Sequence, residues 1–194
     1  MDQKHKMMGL AQILIESNEL RDFRQLTNKS AIDVGSEDDN WWDGEMYKDL
    51  LGHSMGFNVI HLLDKKFKGS TEDHLYRKIK HSIGGKKENF VFHNTDLHDI
   101  ELVPDGPFDL IILSNILHLF ELDEAKTIYE HFVSLTSDYG VIFIKVASEN
   151  RALSNEIGPK WGLTAAQLRD FIGMDPIHED EDKISRQILA RKKT

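Results

Sequence analysis

The sequence predicts an α/β protein with a doubly wound, mostly parallel seven-stranded sheet, helices on both faces and a C-terminal antiparallel strand. Three observations carry that expectation. Short apolar runs of strand length alternate with segments whose apolar residues recur at the helical period. The runs are apolar throughout instead of alternating with polar residues, as parallel strands covered on both faces require. After Ile172 the pattern changes, and an acidic segment followed by an apolar one reads as a β-hairpin.

Taken in order, Lys4 to Asn28 carries Met7, Met8, Leu10, Ile13 and Leu14, then Leu20, Phe23 and Leu26 at roughly helical spacing, with Asn18 marking a break between two helices. Residues 1–29 therefore read as a helical extension or lid, ahead of one domain over 30–194. Ala31–Val34 is the first strand, ended by Gly35. Met46, Leu50, Leu51 and Met55 form a helical stripe that Gly56 is placed to cap. Phe57–Asp64 is the second strand, His74–Gly84 a basic helix whose Arg77, Lys78 and Lys80 read as a solvated face, and Asn89–His93 the third strand. Phe108–Leu113, the most apolar run, is the fourth. Ala125, Ile128, Tyr129, Phe132 and Leu135 define a helix over Glu121–Thr136. A turn at Asp138–Gly140 leads into the fifth strand, GVIFIKVAS. Thr164 is an N-cap for a helix to Ile172, and Pro176–Asp182 with Ile184–Ala190 closes the chain as the hairpin.

Bulk properties bound the function. The chain has 194 residues, 40% of them hydrophobic and 29% charged, which describes a globular protein with one substantial core. No apolar run approaches the length of a membrane span, and the start MDQKHKMMGLAQILIE lacks a secretory cleavage site. The net charge of −9 argues against a nucleic-acid partner, whose phosphates need a basic surface. With no cysteine there is no disulfide, thiolate nucleophile or zinc–thiolate centre. These features fit a cytoplasmic protein with a small-molecule partner.

In open α/β sheets ligands bind beyond the carboxyl ends of the strands. Those ends deliver Asp33 and Gly35, then Asp64, then Asp96, then Ser114 and Asn115. Asp and Asn are also ordinary turn residues after strands, but three successive strands each placing a carboxylate at one edge suits an adenosine-bearing ligand. With those residues in view, the chain resembles the class I S-adenosylmethionine-dependent methyltransferases over about residues 30–194. AIDVGS resembles the family's first motif, NVIHLLD its second strand, FVFHNTDLHDI the third, and FDLIILSNILHLFE the fourth. The ending LRDFIGMDPIHEDEDKISRQILARKK resembles that of small-molecule members. The resemblance implies a Rossmann-like methyltransferase fold and S-adenosyl-L-methionine as cofactor. It puts Asp33 near the methionine amino group, Gly35 against the cofactor, Asp64 on the ribose, Asp96 on the adenine edge with Leu97 packing nearby, and Ser114 and Asn115 at the methionine end.

The sequence departs from the family pattern at one place. Where D-x-G-x-G-x-G belongs, Asp33 and Gly35 are followed by Glu37 and Asp39. Either the loop is enlarged and Gly44 is the last glycine, or Glu37 and Asp39 hold the usual positions. The interval from Asp33 to Asp64 is also longer than usual. An acidic loop suits a cationic sulfonium and ammonium and would repel a pyrophosphate; the G-x-G-x-x-G of dinucleotide sites is absent. Methyl transfer requires alignment more than a catalytic triad, and none is found. His118 is the candidate base, against a packing role. Trp41, Trp42 and Trp161 are candidate walls of the substrate pocket, against a covering role. His93, His98 and Asp99 match no metal-ligand spacing, so no metal is expected. The rival to a small-molecule methyltransferase is a non-catalytic binding or regulatory protein of the same fold that has lost the glycine loop.

Overall fold

A computed structural model describes residues 9–36, 44–52, 55–70, 72, 74, 76, 77, 86–150, 159–182 and 185–192. The sheet is built from β1 (Lys29–Val34), β2 (Phe57–Leu63), β3 (Phe90–His93), β4 (Phe108–Ser114), β5 (Thr136–Ala147), β6 (Pro176–Glu181) and β7 (Ser185–Arg191). Its order is β3-β2-β1-β4-β5-β7-β6. The first five strands are mutually parallel, and β7 joins β5 antiparallel, followed by β6. The doubly wound sheet and its antiparallel ending are thus as the apolar runs predict.

Alternate residues of each strand feed two separate cores, one per sheet face. Leu110 and Ile112 of β4 join Ile60 and Leu62 of β2 under α1 (Leu10–Glu16), α2 (Arg21–Gln25) and α3 (Gly44–Leu51). Ile111 and Leu113 join Ile142 and Ile144 of β5 under α4 (Leu122–Ser134) and α5 (Ala165–Ile172). Each fully buried Leu, Ile or Phe contributes roughly 1.5–3 kcal/mol by leaving water. This two-sided burial is why the central strands are apolar without alternation. Ile13, Leu14, Leu20 and Phe23 are almost completely buried against the first face, so the N-terminal helices share a core with the sheet.

Several boundaries differ from the periodicity. β1 begins at Lys29, because a buried lysine can enter the sheet end once its amine is satisfied. Lys29 Nζ donates to Leu26 O at 2.6 Å and to Phe23 O at 3.2 Å, with the Phe23 and Phe57 rings beside it. The helix after the first strand ends at Leu51, not at Gly56. Gly56 instead turns the chain into β2 at φ +70°, where a Cβ would come within 3.1 Å of Leu26 O and 3.2 Å of Lys29 Nζ. β5 starts at Thr136, earlier than the apolar run suggests, through pairing with Phe108 across a register shift. Thr164 caps α5 as expected, its hydroxyl accepting from Gln167 N while Gln167 returns a bond to Thr164 N. The C-terminal turn of α5 closes on Gly173 at φ +60°, in the left-handed region that favours glycine. Glu72, His74, Tyr76 and Arg77 are helical; Lys78 and Lys80 lie outside the described residues.

Candidate functional site

The parallel strands release their carboxyl ends at one edge, and the ladder runs one residue past each. Gly35 N–H donates to Leu63 O (2.8 Å), Asp64 N–H to His93 O (3.0 Å) and Asn115 N–H to Lys145 O (2.8 Å). The polar residues that follow the apolar runs are therefore fixed to the sheet before the chain diverges. Beyond them lies a cleft of about 380 Å³, within the ~300–1,000 Å³ range of small-molecule sites. Asp33, Gly35, Asp64, Asp96, Leu97, Ser114 and Asn115, the seven residues assigned to the cofactor from sequence, all line it. Residues 9–29 contribute nothing to its lining.

Each side chain is held by a local device. Asp33, 8% exposed, accepts a hydrogen bond from the hydroxyl of Tyr47 on α3. Gly35 has φ +75°, and a Cβ there would lie 2.8 Å from Ile116 Cδ1, so the turn accepts only glycine without displacing its neighbour. Asp64, 7% exposed, accepts from Lys66 N–H at 2.7 Å and thereby caps the single 3₁₀ turn Lys65–Phe67. Asp96 accepts from His98 at 2.8 Å and faces Lys65 Nζ at 3.4 Å. The His98 bond, with a smaller contribution from Lys65, holds its carboxyl below the ordinary range. Asn115 sits at φ +59°, which asparagine tolerates better than most residues. Ile116, Leu119 and Phe120 supply an apolar wall beside it.

The remaining sequence candidates lie elsewhere. His118 is 2% exposed and does not line the cleft. Its Nδ1 accepts from Ala147 N–H at 3.1 Å, so that nitrogen's lone pair is already committed to the backbone. Trp161 stands behind the wall: its indole donates to Phe120 O at 2.9 Å and packs on Phe171 and His118. Trp41 and Trp42 lie outside the described residues, as do Glu37 and Asp39. His93 turns towards His61, Nε2 to Nδ1 at 2.9 Å, with the rings nearly coplanar.

Sequence reading missed Tyr47, Lys65, Thr95 and His98 in the lining. A signal existed for Tyr47, which is spaced three and four residues from Leu50 and Leu51 and is more deeply buried than Met46 beside it. Lys65, Thr95 and His98 lie in turns, where no period marks direction.

The strand order, with its reversal next to β1 and its antiparallel β7 beside β5, decides the architecture. The fold is that of the class I S-adenosylmethionine-dependent methyltransferases. Solved structures sharing this methyltransferase fold include N-methyltransferase NodS from Bradyrhizobium japonicum WM9, with TM-score 0.61 and 12% identity over 87% of this chain and 88% of that one. A 1,6-didemethyltoxoflavin-N1-methyltransferase from Burkholderia thailandensis, solved with 1,6-didemethyltoxoflavin and S-adenosylhomocysteine, gives TM-score 0.62 and 13% identity over 94% and 81%. The pyocyanin biosynthetic protein PhzM gives TM-score 0.58 and 17% identity over 90% of this chain and 52% of that chain, so this chain spans about half its length. No family model and no curated protein sequence matches the chain. At these identities the likeness is one of fold.

Proposed function

We propose that the protein is an S-adenosylmethionine-dependent methyltransferase acting on a small-molecule acceptor, in the cytoplasm. One observation carries the reading: three carboxylates from three successive strands, a glycine turn and the Ser114–Asn115 corner converge on a single cleft. The donor set suits the cofactor. Asp33 offers a carboxylate to an ammonium group, Asp64 to a ribose diol, and Asp96 to an exocyclic amine, while Gly35 lets the backbone approach closely. When bound, S-adenosylmethionine supplies an electrophilic methyl group on a sulfonium.

The chain's residues bind and orient. Tyr47 steadies Asp33, the Lys66 N–H steadies Asp64, and the apolar wall of Ile116, Leu119 and Phe120 excludes water from the methionine end and offers an apolar face to the acceptor. With His118 outside the cleft lining, catalysis rests on alignment, and an acceptor with a readily available lone pair fits best. The acidic balance of the chain supports a small acceptor over a nucleic acid. Titration calorimetry of the full chain with S-adenosylhomocysteine tests the reading: saturable heat at micromolar to sub-millimolar ligand is expected. No heat up to about 1 mM, corresponding to roughly 4 kcal/mol of binding, would falsify it. Binding without methyl transfer to any of a broad panel of small acceptors would favour the non-catalytic rival.

A further inference from the structure

The base end of the cleft holds a contact that the cofactor reading leaves unused. Asp96 has two carboxylate oxygens with different commitments. Oδ1 takes both donors of His98, the ring Nδ1 at 2.8 Å and the backbone N–H at 3.3 Å. Oδ2 faces Lys65 Nζ at 3.4 Å. Lys65 stands on a turn that cannot drift, since Asp64 caps it from one side and Phe67, 2% exposed and packed edge-on against Phe92, anchors it from the other. The lysine side chain itself is 64% exposed and that of Asp96 33%. An ion pair on flexible stems therefore bridges from the end of β2 to the loop after β3, and both partners line the cleft.

A ligand that offers an exocyclic amine to Asp96 needs a carboxylate oxygen, and the one outside the His98 grip is the one Lys65 takes. We propose that the Lys65–Asp96 ion pair is a latch across the base end of the cleft, released when the amine of an incoming adenine-type base replaces the lysine on Oδ2. This rests on the cofactor reading and adds to it a self-contact that the ligand must displace. The latch is weak by construction, because an exposed ion pair is screened by water and salt. It lowers the affinity of amine-bearing bases, which must displace the lysine, and is indifferent to bases without an amine, which leave the pair intact.

Adenosine, which is uncharged, isolates this end of the site from Asp33. Calorimetry of the full chain and of Lys65→Met, which keeps the apolar stem and drops the charge, is expected to show adenosine binding about two- to fivefold tighter in the variant. Raising salt from about 20 mM to about 500 mM, which shortens the screening length several-fold, is expected to strengthen adenosine binding to the natural sequence and leave the variant unchanged. Purine riboside, lacking the amine, is expected to bind the two proteins equally. Equal or weaker adenosine binding by Lys65→Met, with an unchanged urea midpoint showing that it folds, overturns the latch and makes Lys65 a ligand contact or a bystander. Absence of heat from both adenosine and S-adenosylhomocysteine with both proteins overturns the latch together with the cofactor reading.

Discussion

The two ends of the parallel strands carry similar polar residues and use them in opposite ways. At the amino ends, Lys29 is completely buried and donates to Phe23 O and Leu26 O, closing the last carbonyls of the N-terminal helices. Asp109 accepts from Ser30 N–H at 2.9 Å and from the Ser137 hydroxyl at 2.8 Å. Asn58 donates to Asn28 Oδ1, and Asn89 donates to Asn58 O. Every one of these groups is turned onto the protein's own chain. At the carboxyl ends, Asp33, Asp64, Asp96, Ser114 and Asn115 are held by neighbours yet line a common cleft. A polar residue at a strand end is thus no site in itself; direction decides. Parallel strands send all their carboxyl ends to one edge, where the loops part on either side of the strand-order reversal and leave a cavity.

If that division is right, damage at one end spares the other. The largest effect is expected from Lys29→Ala, which removes the amine donor to Leu26 O, leaves Phe23 O with the Leu26 N–H alone, and opens a void beside Phe23 and Phe57. Urea unfolding should show a loss of about 2–4 kcal/mol, with affinity for S-adenosylhomocysteine unchanged in the folded fraction. A stability loss under about 1 kcal/mol would mean that water replaces the amine.

Asp64→Ala is the converse. It should weaken S-adenosylhomocysteine binding by about 1.5–3 kcal/mol through a lost charge-assisted bond, measured by calorimetry, while lost capping of the Lys65–Phe67 turn costs roughly 1 kcal/mol of stability. Unchanged affinity would remove Asp64 from the ribose and blur the contrast between the two ends.

The smallest effect concerns the His61–His93 pair, which does not line the cleft. His61 lies on the sheet face with its titration pushed down to about 4, first by burial and then by the His93 ring, which burial also lowers. Between pH 6.5 and 4 the unfolded chain binds a proton at His61 that the folded chain refuses. Stability from this group is complete above pH 6.5 and is lost as pH falls towards 4. A melting-temperature profile should decline over that window and decline less in His61→Gln. An identical slope in the variant would place the acid sensitivity elsewhere.

Much of the fold was legible because buried parallel strands need unbroken apolar runs. FNVIHLLD and FDLIILS state both the strand and its polar terminus within eight residues, and the terminus is where sheet geometry puts ligands. The helix spanning α4 and the capped α5 were legible for the same reason: one local period, one local cap. The sequence alone therefore determined the class of fold, the edge that matters and the seven residues gathered there. It could not determine which strand neighbours which, and everything that depends on that order was invisible. Tyr47 reaches Asp33 because α3 packs against β2, the neighbour of β1; Lys65 meets Asp96 because β2 lies beside β3; His118 turns inward because β5 offers it the Ala147 N–H. These contacts join residues distant in the chain through turns that have no period, and only the tertiary arrangement sets their direction.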